Sequence, residues 1–168
     1  SRVPDEVTEP GTIEPPCFLP PVNGMYARSV AAAEEPAPLT LSIADTSRFR
    51  EGRITVSFRN EGNEPVRIPD EINDETADYF FVTVLRTERG DVRILNREIG
   101  TMTFQRPLNY RELAPGQEYS VTIPVCLDEV DLEGWKQCSC ELEMRYYNQQ
   151  GKDCFLGVLR ATARLTLQ

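Results

Sequence analysis

The sequence predicts an all-β fold: an antiparallel sandwich of about nine short strands, preceded by an extended Pro-rich segment. Three observations carry that expectation. After Leu39, apolar and polar residues alternate in run after run, as they do in strands buried on one face. Clusters of Gly, Pro, Asn and Asp separate the runs at turn-like spacing. Within residues 39–168 no stretch of useful length repeats its apolar residues at the helical period. A closed barrel is the alternative architecture for the same strands.

The C-terminal stretch is the clearest element. Cys138, Cys140, Leu142, Met144 and Tyr146 fall on one face of a strand, and Ser139, Glu141, Glu143 and Arg145 fall on the other. A polar turn, Asn148 to Asp153, follows. Phe155, Gly157, Leu159, Ala161, Ala163, Leu165 and Leu167 then alternate with Val158, Arg160, Thr162, Arg164 and Thr166. Two strands with one apolar face are not stable alone in water, so the rest of the chain must supply a second layer.

In chain order, residues 1–38 hold eight of the thirteen prolines, a spacing that forbids helix and central strand and favours an extended tether or strap. Cys17-Phe18-Leu19 and Val22 to Tyr26 place apolar residues where a pure spacer needs none, and Ala27 to Glu35 could form a turn or two of helix before Pro36. Leu39, Leu41 and Ile43 open the strand region, and Ile54, Val56 and Phe58 form the next inward face. Asn60 to Pro65 is turn chemistry leading to a short edge strand, Val66 to Ile68, ended by Pro69. Tyr79 to Arg86 reads as a strand with Phe80, Val82 and Val84 sharing a face; Glu88 to Asp91 turns it into Val92 to Leu95. Thr101 to Gln105 reads as another short strand. Leu113 to Gly116 is a turn before Tyr119, Val121, Ile123 and Val125, and a polar excursion, Asp128 to Gly134, returns through Trp135. The expected division is therefore a tether over 1–38 and a β-sandwich domain over 39–168.

No apolar run approaches the roughly 20 residues that cross a bilayer as a helix. A chain that starts at Ser1 fits removal of an upstream signal peptide or anchor, and a trimmed chain would look the same. Membrane association is expected only through such an anchor. Net charge is −9, so a nucleic-acid role would work against repulsion from a polyanion and is set aside. Sixteen of the eighteen basic residues are Arg, which suits bidentate contact with protein carboxylates; codon bias gives the same composition.

Five cysteines, Cys17, Cys126, Cys138, Cys140 and Cys154, occur with no histidine, so zinc is the weaker reading and disulfides in an oxidising compartment the stronger. Reduced thiols in a core remain the plainer alternative. If Val121–Val125 and Gln137–Tyr147 paired as consecutive antiparallel strands, Cys126 would approach Cys138, or Cys140 after a register shift. Cys154 would fall near Tyr146, too far along for a bridge to either at the roughly 4.4–6.8 Å Cα separation required. Cys17 is the mobile candidate for a second bridge.

Ile54-Thr-Val-Ser-Phe-Arg-Asn60-Glu-Gly62-Asn63-Glu-Pro65-Val66, together with Leu113-Ala-Pro115-Gly116-Gln-Glu-Tyr-Ser-Val-Thr-Ile, resembles bacterial secreted immunoglobulin-like modules. In those modules a strand ending in Asn-x-Gly-x-x-Pro and a later Leu-x-Pro-Gly strand recur. The resemblance implies a noncatalytic immunoglobulin-like sandwich of the kind found in envelope proteins, enzyme accessory domains and some proteinase inhibitors. The Cys-Trp-Cys arrangement of antibody domains is not matched, since Trp135 follows Cys126 by only nine residues and precedes Cys138 by three.

Without histidine, Ser-His-Asp and Cys-His nucleophilic machinery is missing, and no enzyme activity and no cofactor are expected. Asp70, Asn73, Asp74 and Asp78 form a weak calcium candidate whose spacing fits no EF-hand; a solvated loop is the plainer reading. Arg89, Arg93, Arg97, Arg106 and Arg111 form a candidate cationic patch for an acidic partner, against ordinary outward-facing strand residues. The leading expectation is an exported module, periplasmic, cell-surface or secreted, that contacts a larger protein assembly. One rival is a proteinase inhibitor presenting Arg97 to Arg111 or Asp128 to Gly134. The other is a carbohydrate-binding module using Tyr110, Trp135 and Tyr147.

Overall fold

The computed structural model describes residues 38–96, 109–149, 151 and 153–168. All of them belong to one of two compact units of the chain, Pro38–Gln168. The Pro-rich segment with Cys17, the expected helical turn at Ala27 to Glu35 and the expected strand Thr101 to Gln105 lie outside the described residues.

Among the described residues the chain is mostly β, and every paired strand runs antiparallel. Its strands are β1 (Leu39–Asp45), β2 (Arg53–Asn60), β3 (Val66–Pro69), β4 (Phe81–Thr87), β5 (Val92–Ile94), β6 (Tyr110–Leu113), β7 (Glu118–Pro124), β8 (Ser139–Asn148) and β9 (Gly157–Thr166). They form a three-stranded sheet in the order β1-β2-β7, a two-stranded pair β3-β6, and a four-stranded sheet β5-β4-β8-β9. β1 and β9, the edges of the two larger sheets, lie beside each other without ladder pairing.

One apolar core joins these layers. From the three-stranded sheet come Leu39, Leu41, Ile54, Val56, Phe58, Val121 and Ile123; from the four-stranded sheet come Phe81, Leu85, Cys140, Leu142, Met144, Tyr146, Leu159 and Ala161. Their inward placement follows the period-2 alternation read from the sequence. Aromatic rings meet at its centre. The Phe58 ring stands edge-on to Tyr146 at 5.0 Å, and Phe81 lies 5.4 Å from the same ring. Burial holds the Tyr146 phenol far above its ordinary range, so it stays neutral.

The hairpin β8-β9 forms as its alternation predicts, in a register from Ser139↔Thr166 to Asn148↔Gly157. Elsewhere the sequence reading needs correction. β7 does not pair with β8: it pairs with β2 along Arg53↔Pro124 to Arg59↔Glu118, whereas β8 sits between β4 and β9. β7 and β8, consecutive in the chain, therefore belong to different sheets. The expected bridge from Cys126 to Cys138 or Cys140 loses its geometric basis, and no disulfide joins the described cysteines, Cys126, Cys138, Cys140 and Cys154. The Cys126 N–H donates to the Leu95 carbonyl at the end of β5, and Cys138 is tied instead to the chain end, where its carbonyl accepts from Leu167 N–H.

The strand expected from Tyr79 begins at Phe81, because Ala77–Phe80 (α1) forms one helical turn. That shift puts Phe81 and Leu85 in the core and sends Val82 and Val84 to the outer face. β6 has no counterpart among the strands expected from alternation, since its four residues bury one side chain. It pairs with β3 in the register Val66↔Leu113 to Pro69↔Tyr110.

The Asn60 turn and the Leu113 turn lock together. Asn60 Nδ2 donates to the Glu64 and Leu113 carbonyls at 2.8 and 2.9 Å, and Asn60 Oδ1 accepts from Gly62 N–H at 2.9 Å. Gly116, with φ +81, donates its N–H to the Asn60 carbonyl, a backbone conformation that glycine adopts without strain. The two stretches that carry the family resemblance are thus neighbours in space.

Candidate functional site

Outward positions of the four-stranded sheet form the most elaborate polar surface among the described residues. Cross-strand pairing aligns Ile94, Val84, Glu143 and Thr162 in one row. Val92, Arg86, Glu141 and Arg164 form the next, and Val82, Arg145 and Arg160 a third. Period-2 geometry puts all of them on the side away from the core.

Glu143 is the anomaly on this face. Its outward count predicts a solvated carboxylate, yet it is only 4% exposed. Three guanidiniums from three strands close over it. Arg86 Nη1 reaches Oε1 at 2.8 Å, Arg145 Nε reaches Oε2 at 3.0 Å, and Arg160 Nε reaches Oε2 at 2.8 Å. Long Arg stems lie along the sheet and exclude water while their charged heads converge. Burial pushes the Glu143 carboxyl up, but the surrounding guanidiniums, Arg145 first, outweigh it and hold the group below its ordinary value. Burial likewise opposes charge on Arg145, and its contacts with Glu143 and Tyr147 more than reverse that, raising it further.

Next to this network, at the β5 edge, Val92 and Ile94 are 50% and 46% exposed. They lie directly across from Arg86 and Val84 in the ladder. An apolar strip and a positively charged cluster therefore share one face. Counting outward side chains on β4, β8 and β9, four guanidiniums (Arg86, Arg145, Arg160, Arg164) stand against two carboxylates (Glu141, Glu143). That local excess of two positive charges sits on a chain of net charge −9.

The cationic patch expected from the sequence is not assembled as such. Arg93 turns away from the outer face and stacks over Trp135 at 5.2 Å, and Arg111 stacks over Tyr119 at 4.0 Å while pairing with Asp70 at 2.8 Å. Arg89 is exposed in the β4–β5 turn, and Arg97 and Arg106 lie outside the described residues. Arg111 sits on β6, paired with β3, and Arg93 on β5, at the edge of a different sheet. Sequence proximity does not bring the two residues together, because β5 and β6 belong to different sheets. The informative signal was the in-phase charge on the C-terminal hairpin: Glu141, Glu143 and Arg145 outward on one strand, Arg160 and Arg164 outward on the next.

The calcium candidates are each engaged elsewhere. Asp74 makes a two-pronged pair with Arg53 at 2.7 and 2.9 Å, Asp70 pairs with Arg111, and Asp78 accepts from Asn96 Nδ2 at 2.8 Å. Asn73 Oδ1 accepts from the Glu75 and Thr76 N–H groups, holding the loop's own turn. Among the described residues no three acidic, Cys or His groups converge as a metal site would need.

Nor do the three rings proposed for carbohydrate form a platform. Trp135 is buried beneath Arg93, Tyr110 points its hydroxyl toward Gly151 beside Cys154, and Tyr147 lies on the outer face beside Arg145. The Asp128 to Gly134 segment does not project as a cleft-entering loop. Val130 is buried, Leu132 packs on the core, and Asp131 ties the turn through the Gly134 and Trp135 N–H groups. Most of the Arg97 to Arg111 loop lies outside the described residues. A shallow cleft of about 480 Å³ lies between Arg50–Gly52 and Val125–Asp128, and it includes Cys126.

No protein-family model matches this chain, and no curated protein matches it.

Proposed function

We propose that this chain is a noncatalytic binding or structural module, an exported immunoglobulin-like β-sandwich that contacts a larger protein assembly at the cell envelope. The single observation that carries the reading is strand order. In immunoglobulin-like sandwiches, strands A, B and E share one sheet and strands C, F and G the other, with C′ added beside C in the variable type. The order β1-β2-β7 against β5-β4-β8-β9 supports that assignment, with β1, β2 and β7 as A, B and E and β5, β4, β8 and β9 as C′, C, F and G. The lock between Asn60 and the Gly116 turn adds a physical reason for the two resembling stretches.

A noncatalytic role is supported by the lack of histidine and by the engagement of the acidic loop in ion pairs and turns. Export rests on the Pro-rich N-terminal segment and the family resemblance; the Cys126 bridge no longer contributes. Affinity capture with the full chain from the envelope fraction of its native cell is the test. Recovery of a multi-subunit assembly is expected. Recovery of a protease inhibited by the chain, or hydrolysis of a peptide, ester or glycoside panel abolished by one Asp or Glu substitution, would overturn the proposal.

A further inference from the structure

We infer that the partner docks on the outer face of the four-stranded sheet, and that it is a protein segment presenting carboxylates beside apolar side chains. This rests on the protein-binding reading above and adds the surface and the chemistry of the partner. Two independent features of one face support it: exposed apolar residues on the β5 edge and unbalanced positive charge beside them.

The charge feature has a specific construction. Glu143 is shared by three guanidiniums, so it orients all three while cancelling the charge of only one. Arg160 spends its Nε on Glu143 Oε2, and its side chain is still 62% exposed, which leaves the terminal guanidinium edge facing solvent. Arg164 stands across from Glu141 in the ladder and reaches Ser139 Oγ at 3.4 Å. A guanidinium held in place by a buried carboxylate has lost much of its rotamer freedom already, so a second carboxylate meets a preorganised donor. Lysines in these positions would hold no such planar edge.

The apolar feature gives the site its other half. Val92 and Ile94 project on the same face two residues apart, with half-buried Val82 and buried Val84 on the neighbouring strand. Exposed β-branched residues on a short edge strand are what a docked apolar side chain would cover. Charge complementarity favours an acidic segment, which neutralises the cluster, over an isologous second copy, which would set the cluster against itself.

Site-specific photo-crosslinking in the native cell tests this on the full chain. A photoreactive residue replaces Ile94 on the proposed face and, in a second protein, exposed Thr40 of β1 on the other sheet. The expected result is a crosslink from position 94 to a partner peptide with net negative charge and apolar side chains, its yield falling at least fivefold in Arg160→Gln. Arg164→Gln provides a second reading should Arg160→Gln fail to fold. A crosslink from position 94 to a neutral or basic segment, or to a second copy of the chain, would overturn the inference. So would crosslinks from position 40 alone, which would leave the protein-binding reading standing. Silence from both positions would remove both.

Discussion

The two large sheets follow the same alternation and end with opposite outer faces. On the three-stranded sheet, Thr55 and Thr122 share a hydroxyl hydrogen bond of 3.1 Å, and Arg59 makes exposed pairs with Glu118 and Glu61 at 2.8 and 3.4 Å. Exposed hydroxyl and ion-pair contacts of this kind contribute little to stability, and between them Ser57 is buried with a hydroxyl that has no hydrogen-bond partner among the described residues. On the four-stranded sheet a carboxylate is buried under three guanidiniums, and two apolar residues stand in water. Burying charge carries a desolvation penalty of several kcal/mol per ion, which the ion pairs must offset. The difference shows that strand alternation sets which side faces out, and that the side chains laid over the strand set what that side does.

The largest way to break this contrast is to remove the buried carboxylate. Glu143→Gln leaves three guanidiniums without their shared counter-ion, and a loss of about 3 kcal/mol is expected, the low end for splitting a buried pair, since Arg86 and Arg160 are partly solvated. Glu118→Gln on the other face should change stability by less than about 1 kcal/mol, because its pair with Arg59 is exposed. Chemical denaturation of both variants measures the pair of effects. Equal losses would erase the distinction between the faces.

Acid sharpens the same point. The Glu143 carboxyl is held below its ordinary value of 4.5, so the folded state binds its proton less readily than the unfolded state does. Its contribution is complete above pH 4.5 and is lost as pH falls below that, through the folded value. Wild-type stability should therefore drop over that acidic range more steeply than that of Glu143→Gln. Parallel curves would mean that Glu143 does not titrate as a buried, paired group.

Smaller effects follow at the margins of each sheet. The main polar dependence expected of the three-stranded side is at its end, where the Asn60 side chain satisfies two carbonyls and one N–H. Asn60→Ala should cost about 2 kcal/mol by leaving those groups unpaired, read as a lowered melting temperature. Ile94→Thr should stay within about 0.5 kcal/mol of wild type, since the residue is already half exposed. A large destabilisation there would show that Ile94 belongs to the core and not to a docking surface.

Much of the fold was legible from residues alone. Cys138 to Tyr146 and Leu159 to Leu167 declared the hairpin through unbroken alternation, and Asn60 to Pro65 declared a turn. What alternation does not carry is partnership. Nothing in Tyr119 to Val125 says that its ladder lies with Ile54 rather than with Leu142, so the inferred Cys126 pairing followed chain order and failed. Tyr110 to Leu113 was missed because four residues with one buried side chain show no period. The burial of Glu143 is not legible in alternation, because Arg86 and Arg160 come over it only through the cross-strand register. The candidate site was therefore the least legible part of the chain: its residues were all visible, and their meeting was not.

On the proposed docking mode the four-stranded face recognises a partner and the three-stranded face does not. The most direct test of that mode is the affinity of the captured partner, by titration calorimetry at low and high salt, for Arg160→Gln and for Arg59→Gln. Each variant removes one exposed guanidinium, from the four-stranded and the three-stranded sheet respectively. Arg160→Gln is expected to weaken binding about tenfold, or about 1.4 kcal/mol, and to flatten its salt dependence, with Arg59→Gln indistinguishable from wild type. Equal weakening by both, or a greater loss from Arg59→Gln, would contradict the docking mode.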